Sequence, residues 1–143
     1  MQLNEELAER LLLACSDLTR TATAAASGTR LSLTQARVLG ALHRSGPLRV
    51  SRLAELERCA QPSMTGLLGR LEDAGYVERA PDPADARAVL AHLTPAGEDE
   101  LLRNRRRLRE PLARALRETA TDDVERLIGL LENTTRALHP VER

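Results

Sequence analysis

The chain contains no lysine, no phenylalanine and no tryptophan, and Tyr76 is its only aromatic residue. Without aromatic bulk, the interior of these 143 residues has to be filled by Leu, Ala and Val, a composition that favours helices. The length fits one domain able to bury a core without staples. Because lysine is absent, all 21 basic residues are arginine; 21 acids balance them, so global charge casts no vote for a polyanionic partner. Cysteine is scarce: Cys15 and Cys59 lie far apart without a Cys-x-x-Cys or His-rich companion, which argues against a disulfide framework and a zinc site. A reducing, cytoplasmic compartment is expected. His43, His92 and His139 have no mutual spacing suited to a metal, and none is expected. No apolar run approaches the ~18 residues of a membrane span. The Leu11-Leu12-Leu13-Ala14-Cys15 run superficially resembles a lipoprotein cleavage box, but Glu5, Glu6 and Glu9 precede it and the run is too short for export. There is also no Gly-x-Ser-x-Gly elbow, phosphate loop, dinucleotide fingerprint or His-Glu-x-x-His, so neither an enzyme nor a cofactor is expected.

What is present is concentrated between Leu53 and Thr94. Leu53, Ala54 and Leu56 form an inner stripe on one short helix, and Met64, Leu67, Leu68 and Leu71 form one on a second that starts near Pro62. Arg58 to Gln61 supplies the tight turn between them. After Gly75 the period changes from helical to alternating, which predicts strands over 76–79 and 87–93 around a Pro- and Asp-rich loop, Ala80 to Ala86. Leu48 to Val50 is a candidate third strand. Helix pair plus hairpin is the order of a winged helix-turn-helix, a module that places one helix in a DNA groove.

The flanks read as long helices. Leu3, Leu7, Leu11, Ala14, Leu18 and Ala25 recur at helical steps, and Gly28 ends that segment. A helix capped by Thr34 is expected through Val38, Leu39 and Leu42 to Gly46-Pro47, and Ser51 is the expected cap of the helix carrying Leu53. Thr94-Pro95 opens another helix with Glu98, Asp99 and Glu100 in its first turns, and Pro111 is expected to kink or split it. A last helix starts near Thr121 and carries Val124, Leu127, Ile128, Leu131 and Leu138. The basic run Arg103 to Arg109 is expected to be a solvated face with pairs such as Asp99 to Arg103 and Arg106 to Glu110. The expected class is mainly α with a small β-hairpin wing. A winged module at 30–97 would leave the apolar stripes of 1–29 and 98–143 exposed, which predicts a two-fold homodimer held by those helices.

The chain resembles the multiple-antibiotic-resistance regulator (MarR) family of bacterial transcription factors. The likeness is carried by Leu33-Thr34-Gln35, Gly46-Pro47, Pro62-Ser63-Met64-Thr65, the run Leu71-Glu72-Asp73-Ala74-Gly75-Tyr76-Val77-Glu78-Arg79, Asp82-Pro83-Ala84-Asp85-Ala86-Arg87 and Leu93-Thr94-Pro95-Ala96-Gly97. The resemblance implies a dimeric regulator, often a repressor, that binds a pseudo-palindromic duplex and is released by a small phenolic or lipophilic effector.

On that reading Gln61 suits an adenine edge in the major groove, Pro62, Ser63 and Thr65 present the start of the helix to bases and phosphates, and Arg70 holds backbone. Arg87 at the hairpin tip suits the minor groove, with Asp85 orienting it by a charge-assisted bond. Gly66 removes a side chain from the reading face. Leu18, Thr19 and His43 are candidates for an effector cleft. From Arg44 to Arg87 seven arginines meet seven acids, so duplex binding must depend on where the charges sit. Two alternatives stand beside this reading: a winged-helix protein-interaction module without DNA affinity, and a regulator that senses oxidation at Cys15. Packing is the expected role of Cys59.

Overall fold

Two of the helices begin at a hydroxyl that satisfies free amides, and one of these is not the expected residue. The computed structural model describes residues 2–138; His139 lies outside them. Helix α1 (Gln2–Ala25) is followed by α2 (Leu33–Ser45), β1 (Leu48–Arg49), α3 (Val50–Leu56), α4 (Gln61–Asp73), β2 (Val77–Asp82), β3 (Asp85–Leu93), α5 (Pro95–Ala115) and α6 (Thr121–Leu138). The cap of α2 is Ser32 rather than Thr34: its hydroxyl accepts from the Gln35 amide while the Gln35 side chain accepts from the Ser32 amide. This reciprocal Ser-x-x-Gln box satisfies two amides and therefore wins over a single Thr. Ser51 is likewise not a cap, because α3 starts one residue before it and Arg49 occupies that place without a side-chain bond. Thr94 does cap α5, accepting from the Gly97 amide at 3.0 Å and donating to the Gly75 carbonyl at 2.6 Å.

The turn between α3 and α4 is closed by Arg58 in a left-handed conformation (φ 50°), with the Cys59 amide bonded to the Ala54 carbonyl. Gly75 (φ +78°) ends α4 in the same way, its neighbour Tyr76 bonding back to Leu71. The sheet has the order β1-β3-β2, all antiparallel, with Leu48 opposite Ala91 and Val77 opposite Leu93. The strands of the wing reach further than expected, leaving only Pro83 and Ala84 between them. Pro81 is tolerated inside β2 because that strand is an edge, where a missing N–H breaks no ladder on its outer side.

One apolar core joins α2, α3, α4, the sheet and the first turns of α5; Val38, Leu39, Leu53, Met64, Leu68, Val77 and Leu101 are almost wholly enclosed, and Cys59 packs against it. Helix α5 runs unbroken past Pro111. Its arginines pair differently from the expectation: Arg103 bonds Glu100 at 3.0 Å, Arg114 bonds Glu110, and Arg107 reaches both Glu100 and the carbonyl of Gly28. Glu100 draws these partners because it is buried, and a buried carboxylate has to be neutralised locally. The α1 and α6 helices contribute no buried side chain among the described residues.

Candidate nucleic-acid interface

Helix α4 has two faces set by its period. Met64, Leu67, Leu68 and Leu71 anchor it in the core, and this forces Gln61, Pro62, Ser63, Thr65, Gly66 and Arg70 into the open. Its rigid inner stripe fixes how the outer residues are presented. Between α4 and the wing lies a groove lined by Arg49, Ser51, Gln61, Thr65, Arg79 and Arg87. Of the residues singled out in the sequence, Gln61, Thr65 and Arg87 meet there, whereas Pro62, Ser63 and Arg70 sit on the exposed face of α4 beside it. Arg49, Ser51 and Arg79 were not among them. Ser51 had the signal of a cap, and Arg49 and Arg79 are placed by pairings distant in sequence.

The charges of this module are neutral in number but not in place. Arg79 is held by Glu72, with Nη2 and Oε1 2.9 Å apart and the Arg79 amide donating to Oε2 at 3.1 Å. Arg49 forks onto Asp82 at 2.7 Å through both Nε and Nη2, and the other Asp82 oxygen accepts from the Ala84 amide at 2.9 Å. Arg52 pairs with Glu55. Arg70 and Arg87 have no acidic partner among the described residues, which leaves their guanidinium groups free to meet phosphates, while Asp73, Glu78 and Asp85 likewise have no basic partner there. Asp85 does not orient the Arg87 guanidinium; its Oδ1 accepts from the Arg87 backbone amide at 3.0 Å. The effect is to shape the chain at the tip while the guanidinium stays exposed.

The Arg49–Asp82 fork and the Ala84 amide tie the wing tip to the strand that leads into α3. The Ala84 bond and then Arg49 hold the Asp82 carboxyl below its ordinary range, and the Arg79 side chain does the same for Glu72. A carboxylate whose folded pKa is depressed contributes stability that is complete above its unfolded value and lost as pH falls through the folded one. For these two groups the loss begins below about pH 4.5. An Asp82→Asn variant is therefore expected to be less stable than the parent at pH 6, and to lose less on going from pH 5 to pH 3. Chemical denaturation at the three pH values checks it; equal losses in both proteins would remove Asp82 from the account.

A cleft of about 670 Å³ separates α1 from α2 and is lined by Cys15, Ser16, Thr19, Thr23, Leu33 and Arg37 among others. Thr19 belongs to it. Leu18 is half exposed and lies outside its lining, and His43 is turned away to Glu98, with Nδ1 and Oε1 3.4 Å apart. Among the described residues no three His, Cys, Asp or Glu side chains are grouped to hold a metal ion, and no helix is long and apolar enough to cross a membrane.

The fold that carries this groove is shared with known proteins. The model of the MarR family matches residues 31–89, which span α2 to most of β3. The HTH-type transcriptional regulator MT0903.1 of Mycobacterium tuberculosis is 36% identical over 110 residues, covering 77% of each chain. Two solved structures share the fold: a MarR family protein from Bacillus stearothermophilus (TM-score 0.80, 20% identity, 96% of each chain) and wild-type MarR from E. coli in its apo form (TM-score 0.77, 23% identity, 90% of this chain and 96% of that one). With the winged fold in place and that regulator matched over most of its length, the chain belongs to the MarR family of transcriptional regulators.

Proposed function

We propose that the protein is a homodimeric repressor that binds a pseudo-palindromic duplex, with residues 61–70 in the major groove and the wing around Arg87 in the minor groove. The observation that carries this is the groove where Gln61 and Thr65 of α4 face an Arg87 left without an acidic partner. Gln61, Pro62, Ser63 and Thr65 open the helix that would meet base edges and phosphates, Arg70 contacts backbone, and Asp85 shapes the tip that presents Arg87. Gly66 carries no side chain, and a Cβ there would meet only the Arg70 guanidinium at 3.8 Å, so base readout falls to the residues before it. The whole chain acts as one unit, with 30–97 reading DNA and 1–29 and 98–143 forming the dimer, which spaces two α4 helices one helical turn of DNA, ~34 Å, apart. Its place of work is the cytoplasm. A small lipophilic or phenolic effector shifts the population toward a spacing that no longer fits the operator.

The test is a titration of the purified protein against a duplex covering its own promoter region and an unrelated duplex, at two salt concentrations. Specific affinity that falls steeply with salt is expected, because phosphate contacts release counterions. Arg87→Ala should leave the dimer folded, weaken operator binding by roughly tenfold and lower the salt slope by about one. Unchanged affinity would take Arg87 out of the interface, and indifference to both duplexes would favour a protein-interaction role for the wing.

A further inference from the structure

Strand β1 is two residues long, and its register with β3 ends at Arg49 opposite Leu90. Beyond that point the wing is a two-stranded ribbon, in which residues 85–89 pair only with β2. A lone hairpin is marginally stable in water and twists more than a wider sheet. The tip nevertheless has to present Arg87 at a set distance from α4. At its base the wing is tied to α4 by the Glu72–Arg79 pair. Toward the tip, among the described residues, Arg49 is the one side chain from outside the hairpin that bonds to residues 80–89.

Three local features converge on this bond. Arg49 stands opposite Leu90 on one side of β3 and Ala80 stands opposite it on the other, so the guanidinium crosses β3 to reach Asp82, two residues further along β2. The ladder register slips between Pro81 and Asp82, and a bulge of this kind re-aims a side chain. The Asp82 carboxylate is almost wholly buried, with one oxygen on Arg49 at 2.7 Å and the other on the Ala84 amide at 2.9 Å. Finally, Arg49 fills the place before α3 where Ser, Thr, Asp or Asn would cap the helix, and its side chain caps nothing. It is committed to the wing tip instead.

We infer that Arg49 is a positioning residue for the wing: through Asp82 it holds the tip, and with it Arg87, at a fixed height over α4, although it lines the groove as a phosphate contact would. This inference rests on the reading of the chain as an operator-binding regulator and deepens it. A tip ordered in advance raises affinity, because the cost of ordering it on binding is removed. The sign of the effect is opposite to that of simple electrostatics. Asp82 stands beside the groove, so on charge alone its removal would strengthen DNA binding twice over, by taking away a carboxylate and by freeing Arg49. With Asp82 as the anchor of the tip, its removal weakens binding.

The experiment titrates full-length D82A, R49Q, R87A, D82A/R49Q and D82A/R87A against the duplex covering the protein's own promoter region, at two salt concentrations. Beside it, NMR relaxation gives the amide order parameters of Ala84 and Arg87 in the parent and in R49Q. D82A and R49Q should each lose between about threefold and the roughly tenfold of R87A. D82A/R49Q should bind within about 1.5-fold of D82A, and D82A/R87A within about 1.5-fold of R87A, because Arg49 acts through Asp82 and Asp82 through Arg87. In R49Q the tip order parameters should fall from about 0.85 toward about 0.6 while those of α4 hold. A D82A variant that binds as tightly as the parent or more tightly, or a D82A/R49Q variant that loses about a further fivefold together with a unit of salt slope, makes Arg49 a phosphate contact and overturns the inference. Additive losses in D82A/R87A overturn it too, by reducing the pair to general stability. Unchanged order parameters in R49Q overturn it whether or not the duplex is bound. A parent indifferent to the duplex, with the tip loosened in R49Q, would sink the regulator and leave Arg49 as the residue that holds the tip.

Discussion

Replacing Gly97 by alanine is expected to destabilise the protein by at least ~3 kcal/mol, because overpacking against rigid backbone exceeds what a well-packed site absorbs. Gly97 is buried in the first turn of α5, and a Cβ there would stand 2.1 Å from the carbonyl oxygen of Tyr76 and 2.9 Å from Leu93 Cδ1. The Leu93 methyl can shift, but the Tyr76 carbonyl is backbone and cannot yield cheaply. The Tyr76 carbonyl accepts from the Thr94 amide at 3.1 Å, and Thr94 in turn caps α5 and bonds Gly75. On propensity alone the substitution would be favourable by ~1 kcal/mol, since alanine is the better helix former. The steric term is the larger, so the sign reverses. Thermal unfolding followed by circular dichroism should show a midpoint lowered by roughly 10 °C. A midpoint at or above that of the parent would mean that α5 can move off the wing without cost, and the close approach of Gly97 to Tyr76 would lose its structural meaning.

Ile128→Asp is expected to turn the dimer into monomers and to reduce operator affinity by about a hundredfold or more. No described side chain of α6 is buried within one chain, and Leu127 and Ile128 are each 49% exposed; α1 adds Leu7, Leu11, Leu12 and Leu13 to the uncovered apolar surface. Apolar area of this extent on two long helices is what a second copy would cover. An ionised carboxylate buried in that interface would cost several kcal/mol. The loss of DNA affinity follows from geometry, because two α4 helices held together engage the second half-site at high effective concentration, and a monomer forfeits that gain. Sedimentation and the operator titration together check it. A variant that still sediments as a dimer and binds within a factor of three of the parent would place the dimer interface elsewhere.

The elements of this fold were largely legible in the sequence, and the reasons are local. The stripe Met64, Leu67, Leu68, Leu71 has one helical interpretation, and it alone dictates that Gln61, Ser63, Thr65 and Arg70 face outward. Thr94-Pro95 marked the start of α5 because capping is settled within four residues. Ser32 was legible too, since Ser-x-x-Gln is a capping box, but the nearer Thr34 obscured it. The wing was readable as a hairpin and misjudged in extent. Its strands continue to Asp82 and from Asp85 because the Asp82 carboxylate bonds both Ala84 and Arg49, and the Arg49 partner is 33 residues away.

The candidate sites divide along the same line. The sequence by itself determined the helical composition, the polar face of α4, the order helix pair then wing, and the need for something to cover the apolar flanks, because periodicity and capping act over a few residues. Only the tertiary structure decided which arginines remain without partners. Arg49 and Arg79 are claimed by Asp82 and Glu72, Arg87 is not, and Arg44 and Arg105 meet over a glycine although they lie 61 positions apart in the chain. It also set Thr19 in a cleft and turned His43 away toward Glu98. The physical reason is that charge pairing and close approach depend on distances through space, and those are set by packing among elements that the order of residues along the chain does not contain.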